Sequence, residues 1–207
     1  MSFDEYAKTW DTDKRINRAK IIANEIRNSV GIDENNSAME FGCGTGLISF
    51  NLYDRFKSIA LFDSSKGMID LLNSKIAKYE VTNMIPYHLD ISNQNSLDMK
   101  FDVIHNSMAL HHIHDIEAII KNFYQMLNKD GYLCIVDLDE EDGSFHKKYS
   151  EFDDHNGFNQ GNLKSILISA GFDDIESNSF FYDEKVIEDK KVKYSLFLMK
   201  ARKYTNS

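Results

Sequence analysis

From Lys14 to Val30 the apolar residues Ile16, Ala19, Ile22, Ala23, Ile26 and Val30 recur three or four places apart. That spacing predicts one buried face of a helix, begun near Asp11 or Thr12 and stopped by Gly31. A short extended run follows at Ala38–Phe41. Leu47, Phe50, Tyr53 and Phe56 then predict a second helix over 47–56. "SIALF" at 58–62 reads as a buried strand ending at Asp63. Met68, Leu71, Leu72, Ile76 and Tyr79 mark a helix over 66–79. Met84–Leu89 is a strand whose Pro86 assigns it to an exposed or irregular position. Phe101–Asn106 is a further strand. Ile116, Ile119, Ile120, Phe123 and Leu127 give the clearest helix, over 115–127, ended by "NKDG" at 128–131. An apolar strand is expected at 132–138, a helix at "GNLKSILISAG", and two last strands at about 173–182 and 192–201. The charged "DEKVIEDKK" separates that final pair.

Strands alternating with helices specify a parallel sheet covered on both faces, hence an α/β, Rossmann-like fold. The two last strands have no helix between them, so they are expected to pair antiparallel at one edge. The polar stretch from Asp139 to about Gln160 is too long for a plain connection, which marks it as a functional or disordered segment. No linker divides the chain. A single domain over 1–207 is expected, with an N-terminal cap and helix (1–31), a ligand-binding half (38–139) and an acceptor-side loop, helix and terminal strands (140–207).

A chain of 207 residues can bury a sizeable core, and 42% hydrophobic with 28% charged residues is a globular profile. The formal net charge of −9 disfavours nucleic acid and anionic lipid as partners. Two cysteines, Cys43 and Cys134, make no disulfide framework, and a reducing cytoplasm fits them. The opening "MSFDEYAKTWDTDK" lacks the features of a signal peptide, and no run is apolar enough to span a membrane.

The chemistry concentrates at "MEFGCGTG", residues 39–46, where a strand is expected to turn into a helix. Glycine there admits positive φ and lets a ligand lie against bare backbone. Gly42 and Gly44 fit the dinucleotide pattern Gly-x-Gly-x-x-Gly, but position 47 is Leu and the third glycine falls at 46. Glu40 beside the turn would repel a pyrophosphate and attract an ammonium. Asp63, 21 residues after Gly42, stands where a carboxylate accepts from both ribose hydroxyls. A ligand with a ribose and a cation, and without phosphates, satisfies all three observations.

"MEFGCGTG" resembles motif I of the class I S-adenosylmethionine-dependent methyltransferases. "LFDSSKGMI" at 61–69 and "HLDI" at 88–91 are similar to their second and third motifs. "FDVIHNSMALHHIHD" at 101–115 and "MLNKDGYLCIVDLD" at 126–139 resemble the strand-four and strand-five passages of the small-molecule, quinone-biosynthesis-like group. The resemblance implies a seven-stranded, mostly parallel sheet with an antiparallel last strand, and S-adenosyl-L-methionine as cofactor, leaving as S-adenosyl-L-homocysteine. It further implies that Glu40 holds the cofactor's amino group and that Gly42, Gly44 and Gly46 line its methionine and ribose portions. Asp63 would take the ribose hydroxyls, with Ser64 and Met68 beside the adenine. Asp90 and Ile91 would meet the adenine amine and edge, and Asn106 and Ser107 the sulfonium end. Two carboxylates keep a second reading: Asp63 as the N-cap of the helix that follows, and Asp90 as a cap of the next segment.

The acceptor side is less legible. His111, His112 and His114 in "LHHIHD" have poor metal-ligand spacing, since adjacent side chains are expected to point apart, and no metal is expected. His111, His146 and His155 are the candidate proton acceptors. Within 137–158 the acidic Asp139, Glu140, Glu141, Asp142, Asp153 and Asp154 read as a solvated face, and Phe145, His146, His155 and Phe158 as candidate acceptor contacts. Tyr6 and Trp10 either close over the cofactor or pack as an N-terminal turn. The leading function is methyl transfer to a small molecule. The rivals are a non-catalytic cofactor-binding module and a nicotinamide-dependent oxidoreductase.

Overall fold

A computed structural model of the chain describes residues 3–92, 97–146, 155–188 and 190–204. Strands β1 (Ser37–Phe41), β2 (Ser58–Asp63), β3 (Met84–His88), β4 (Phe101–Ser107), β5 (Leu127–Leu138), β6 (Asp173–Ile187) and β7 (Lys190–Arg202) form one sheet. Its order is β3-β2-β1-β4-β5-β7-β6. The first five strands are parallel, whereas β7 runs antiparallel to both β5 and β6. This is the expected Rossmann-like architecture with its reversed final strand.

The helices are α1 (Phe3–Tyr6), α2 (Asp13–Ser29), α3 (Lys66–Lys78), α4 (Ile116–Met126) and α5 (Gln160–Ala170). Each of the last four begins at a side-chain cap: Thr12, Ser65, Asp115 and Asn159 accept from the backbone N–H three residues on. Gly171, at φ 103°, closes α5 in the left-handed conformation that glycine adopts without strain.

The period-2 pattern of the strands separates two cores. Ala38, Ile59, Leu61, Val103, Val136 and Leu198 face α2 and α3, which contribute Ile22, Ile26, Ile69 and Leu72. Met39, Phe62, Ile104, Ile135, Phe197 and Met199 face the other way, onto Ile119, Ile120 and Phe123 of α4 and Leu163 and Leu167 of α5. Helices therefore cover both faces.

Three local expectations are corrected. Residues 47–56 form two 3-10 turns, Ser49–Asn51 and Tyr53–Arg55, in place of an α-helix. The side-chain amide of Asn51 donates to the Leu47 carbonyl at 2.8 Å, while its backbone N–H bonds three residues back, to Ile48. A local side-chain bond of this kind displaces the helical ladder. The "NKDG" passage lies within the bounds of β5: pairing jumps from Phe101↔Leu127 to Val103↔Tyr132, leaving 128–131 looped out between the two registers. Lastly, "DEKVIEDKK" does not separate β6 and β7. Pairing continues to Ile187↔Lys190, and Lys191 bridges Glu184 at 2.5 Å, so much of that charge is cross-strand pairing.

Candidate active site

The sheet order reverses between β1 and β4, so the connections leaving their C-terminal ends diverge and open a crevice. A cleft of about 1400 Å³ occupies it. The glycine loop forms its floor. Gly42 and Gly44 have φ of 66° and 52°, and both line the cleft. A Cβ on Gly42 would come within 2.4 Å of the Ala109 Cβ, so loop and β4 connection touch backbone to side chain. Gly46 does not line the cleft: its Cβ position is filled by Leu72, 2.6 Å away, which makes it a packing glycine.

Glu40 is buried on β1 and lines the cleft. The Ser49 hydroxyl donates to its carboxylate. Burial pushes the Glu40 carboxyl up to about 8, with Asp63 adding to the rise against the Ser49 bonds. At the end of β2, Asp63 Oδ2 accepts from Gly44 N at 2.7 Å and Oδ1 from Ser65 N at 2.8 Å. Asp63 therefore fixes the glycine loop, and the helix cap read for it belongs to Ser65. Burial raises the Asp63 carboxyl as well. Asp90 accepts from Ser92 N at 3.0 Å, capping its own turn while also facing the cleft. Ser64, Met68 and Ser107 line the cleft too. Ile91 and Asn106 do not: both are buried, Ile91 within the α4-side core. Both side-chain polar atoms of Asn106 are buried without a hydrogen-bond partner.

The N-terminal segment both packs and covers. Asp4 accepts from Ser65 Oγ at 2.6 Å and Gly67 N at 2.8 Å, and Asp11 binds Lys75 at 2.8 Å. These bonds hold Phe3, Tyr6 and Trp10 against the cleft wall.

A histidine cluster lines the same cleft. The rings of His111 and His112 lie 4.1 Å apart by centroid, and that of His146 is 5.0 Å from His111. The expectation that His111 and His112 point apart is corrected. The 3-10 turn Leu110–His112 puts both on one wall, and one nitrogen from each of His111, His112 and His146 falls within 4.8 Å of the others. Three imidazoles at that separation are a set that could hold a metal ion. Burial pushes His112 down to about 4, helped by His111. His146 is pushed to about 3, again by burial first and then by the neighbouring histidines and Lys185. His155 is not part of the wall: its N–H donates to the His111 carbonyl at 3.1 Å, and its ring packs on Phe158, itself buried in the α4-side core. Asp153 and Asp154 lie outside the described residues. Asp139 is no solvated charge, since it accepts from Gln160, Ser179 and Ser195. Cys43 lines the cleft, but burial holds its thiol well above the usual range, as an inert cysteine.

A protein-family model described as a methyltransferase domain matches residues 14–177. The chain belongs to the class I S-adenosylmethionine-dependent methyltransferases. Among the relatives of this methyltransferase is an uncharacterised methyltransferase of Schizosaccharomyces pombe, 32% identical over 117 residues, covering 53% of this chain and 41% of the relative. A malonyl-[acyl-carrier protein] O-methyltransferase of Priestia megaterium is 26% identical over 153 residues, covering 72% of this chain and 53% of the relative. The methyltransferase chain spans about half the length of such curated relatives. In fold it is similar to a Haemonchus contortus phosphoethanolamine N-methyltransferase crystallised with S-adenosylhomocysteine, at a TM-score of 0.72 and 14% identity, covering 99% of this chain and 61% of the other. No helix among the described residues of the methyltransferase is long and apolar enough to cross a membrane.

One residue of the site was missed in the sequence. Asp137, fully buried near the end of β5, meets His111 Nδ1 at 2.5 Å and also accepts from the backbone of Leu110 and Leu138. The available signal was the one that marked Asp63: a carboxylate at a strand's C-terminal end.

Proposed function

We propose that this chain transfers the methyl group of S-adenosylmethionine to a small-molecule acceptor by in-line displacement. The observation that carries the reading is that one cleft is lined both by a glycine loop with Glu40 and Asp63 and by a histidine cluster. The bound cofactor supplies the methyl on a positively charged sulfur. Glu40 takes its ammonium; Asp63, the ribose hydroxyls; Asp90, Ser64 and Met68, the adenine side. The chain's own work is to align the nucleophile and exclude water.

Where the acceptor must lose a proton, His111 receives it at Nε2, because Asp137 holds Nδ1 and stabilises the imidazolium. His146, with a conjugate acid near 3, is too weak a base at neutral pH and serves as a hydrogen-bond partner. The same burial keeps His112 uncharged. No metal is required in this reading; chelator-treated protein keeps its activity. Loss on chelation, restored by one divalent ion, would reassign His111, His112 and His146 as ligands. The acidic net charge supports small-molecule over nucleic-acid acceptors, and two buried free thiols suit a cytoplasmic setting.

Calorimetry with S-adenosylhomocysteine and with NAD tests the cofactor assignment: the first binds and the second does not. NAD binding without adenosylhomocysteine binding would end the reading. Turnover against an acceptor panel, read as adenosylhomocysteine release, distinguishes an enzyme from a binding module.

A further inference from the structure

The ionic side chains of the cleft are sorted by sign. Glu40, Asp63 and Asp90 stand at the ends of β1, β2 and β3. Lys14, Arg15, Arg18 and Lys185 line the cleft from α2 and β6. Among the described residues Glu184 is the carboxylate that these two elements contribute to the lining, and it is engaged by Lys191 at 2.5 Å. Lys14 is matched by Asp183 at 2.8 Å, and Arg15 lies over the Trp10 ring at 4.1 Å.

Arg18 is placed differently. The half-buried Arg18 donates from Nη1 to the Tyr194 hydroxyl at 3.3 Å, and among the described residues no carboxylate pairs with it. Lys185 Nζ stands 4.2 Å from the Phe145 ring centroid. Phe145 packs edge-on against Tyr194 at 5.0 Å and against His146 at 4.9 Å. The two cations thus flank an aromatic floor that runs up to the histidine wall. The Tyr194 hydroxyl donates to Asp183 at 3.0 Å, but Asp183 is already neutralised by Lys14, so the partly desolvated guanidinium favours a ligand that brings a further negative charge. The cluster also runs against the chain's overall charge of −9.

We propose that this wall is an anion subsite, so that the methyl acceptor carries a carboxylate or phosphate held by Arg18 and Lys185 while its nucleophile faces His111. Guanidinium suits both groups through paired N–H donors, and Lys185 adds a point charge. The inference rests on the methyltransferase reading and names the acceptor class for that same cleft.

Acetate, inorganic phosphate and acetamide, titrated separately into the adenosylhomocysteine-loaded protein and followed by protein-observed NMR, provide the test. Acetate or phosphate shifts the amides of Arg18, Lys185 and Tyr194 saturably, whereas neutral acetamide does not. The tighter of the two anions assigns carboxylate or phosphate. In Arg18→Gln/Lys185→Gln the anion binds about tenfold more weakly or worse, the expected loss for a charge-assisted bond. Its adenosylhomocysteine affinity stays within about twofold. If melting shows that the double variant is unfolded, the single variants Arg18→Lys and Lys185→Gln replace it. The proposal is overturned if neither anion saturates at these residues, if acetamide matches acetate, or if the folded variants bind the anion as the parent does. Failure of the parent to bind adenosylhomocysteine would instead sink the underlying methyltransferase reading.

Discussion

Glu40 gives a proton-linked signature of cofactor binding. Burial holds its carboxyl near 8. Cofactor-free protein at pH 7 is therefore about nine-tenths protonated at this position. An ammonium group docking against it favours the carboxylate and expels the proton. If the bound pKa returns to the ordinary carboxylate range, adenosylhomocysteine binding releases about one proton at pH 6 and about three-quarters of one at pH 7.5. The apparent Kd then falls about twentyfold between those pH values. Calorimetry in phosphate and in Tris measures the released proton from the difference in apparent enthalpy. Glu40→Gln keeps a partner for Ser49 but abolishes both the proton release and the slope. At pH 7.5 it weakens binding by the roughly 1.5–3 kcal/mol of a lost charge-assisted bond. The sign of the stability effect follows from the same shift. Folded Glu40 binds its proton more tightly than the unfolded chain, whose carboxyl titrates near 4.5. Its contribution is thus full below that pH and is lost as pH rises towards 8, so the cofactor-free Tm falls over that window and cofactor restores it. Buffer-independent enthalpies together with a flat Kd from pH 6 to 7.5 would refute the pairing of Glu40 with an ammonium.

Asp63→Asn should lower adenosylhomocysteine affinity by tenfold or more, since it removes a charged acceptor; calorimetry on a folded variant that showed no change would leave Asp63 as a loop tie alone. Asp137→Asn is expected to reduce kcat by ~10²–10⁴ through the wrong His111 tautomer, with adenosylhomocysteine affinity nearly constant. Unchanged kcat there would remove His111 from proton transfer. Gly42→Ala forces a Cβ to within 2.4 Å of Ala109 at φ 66°, and overpacking of about 1–3 kcal/mol should appear as a lowered Tm in a melting curve. An unaltered Tm would show that the loop and the β4 connection can separate freely.

The cofactor half was readable because its signals are local. Glu40, Gly42, Gly44 and Asp63 lie within 24 consecutive residues, each near a strand end, and secondary structure alone places them together. Gly46, Ile91 and Asn106 sit in the same motifs yet do not line the cleft: Gly46 packs on Leu72, Ile91 enters the α4-side core, and Asn106 is buried on β4, contacts that a motif does not report. The acceptor half is assembled from distant pieces. Asp137 reaches His111 across 26 positions, and Arg18 meets Tyr194 across 176. No spacing rule connects such pairs; only the sheet order does. The 47–56 segment failed for the opposite reason: its apolar spacing is helical, but Asn51 satisfies the Leu47 carbonyl locally and wins over periodicity.

The order of the sheet leaves β3 and β6 as its outer strands. An open edge is a template on which a strand from another molecule can polymerise. Here both templates are spoiled. Within β3, Pro86 lacks the N–H that a continuous ladder would use. In β6 the pairing register shifts twice, between Asp173 and Glu176 and between Ser179 and Phe181, and the strand carries Glu176, Asp183, Glu184 and Lys185. The exposed Tyr182 and Val186 would otherwise invite cross-molecule pairing. They are set instead in an irregular, charged margin, which protects the chain from edge-to-edge aggregation while leaving the hairpin long enough to reach the cleft.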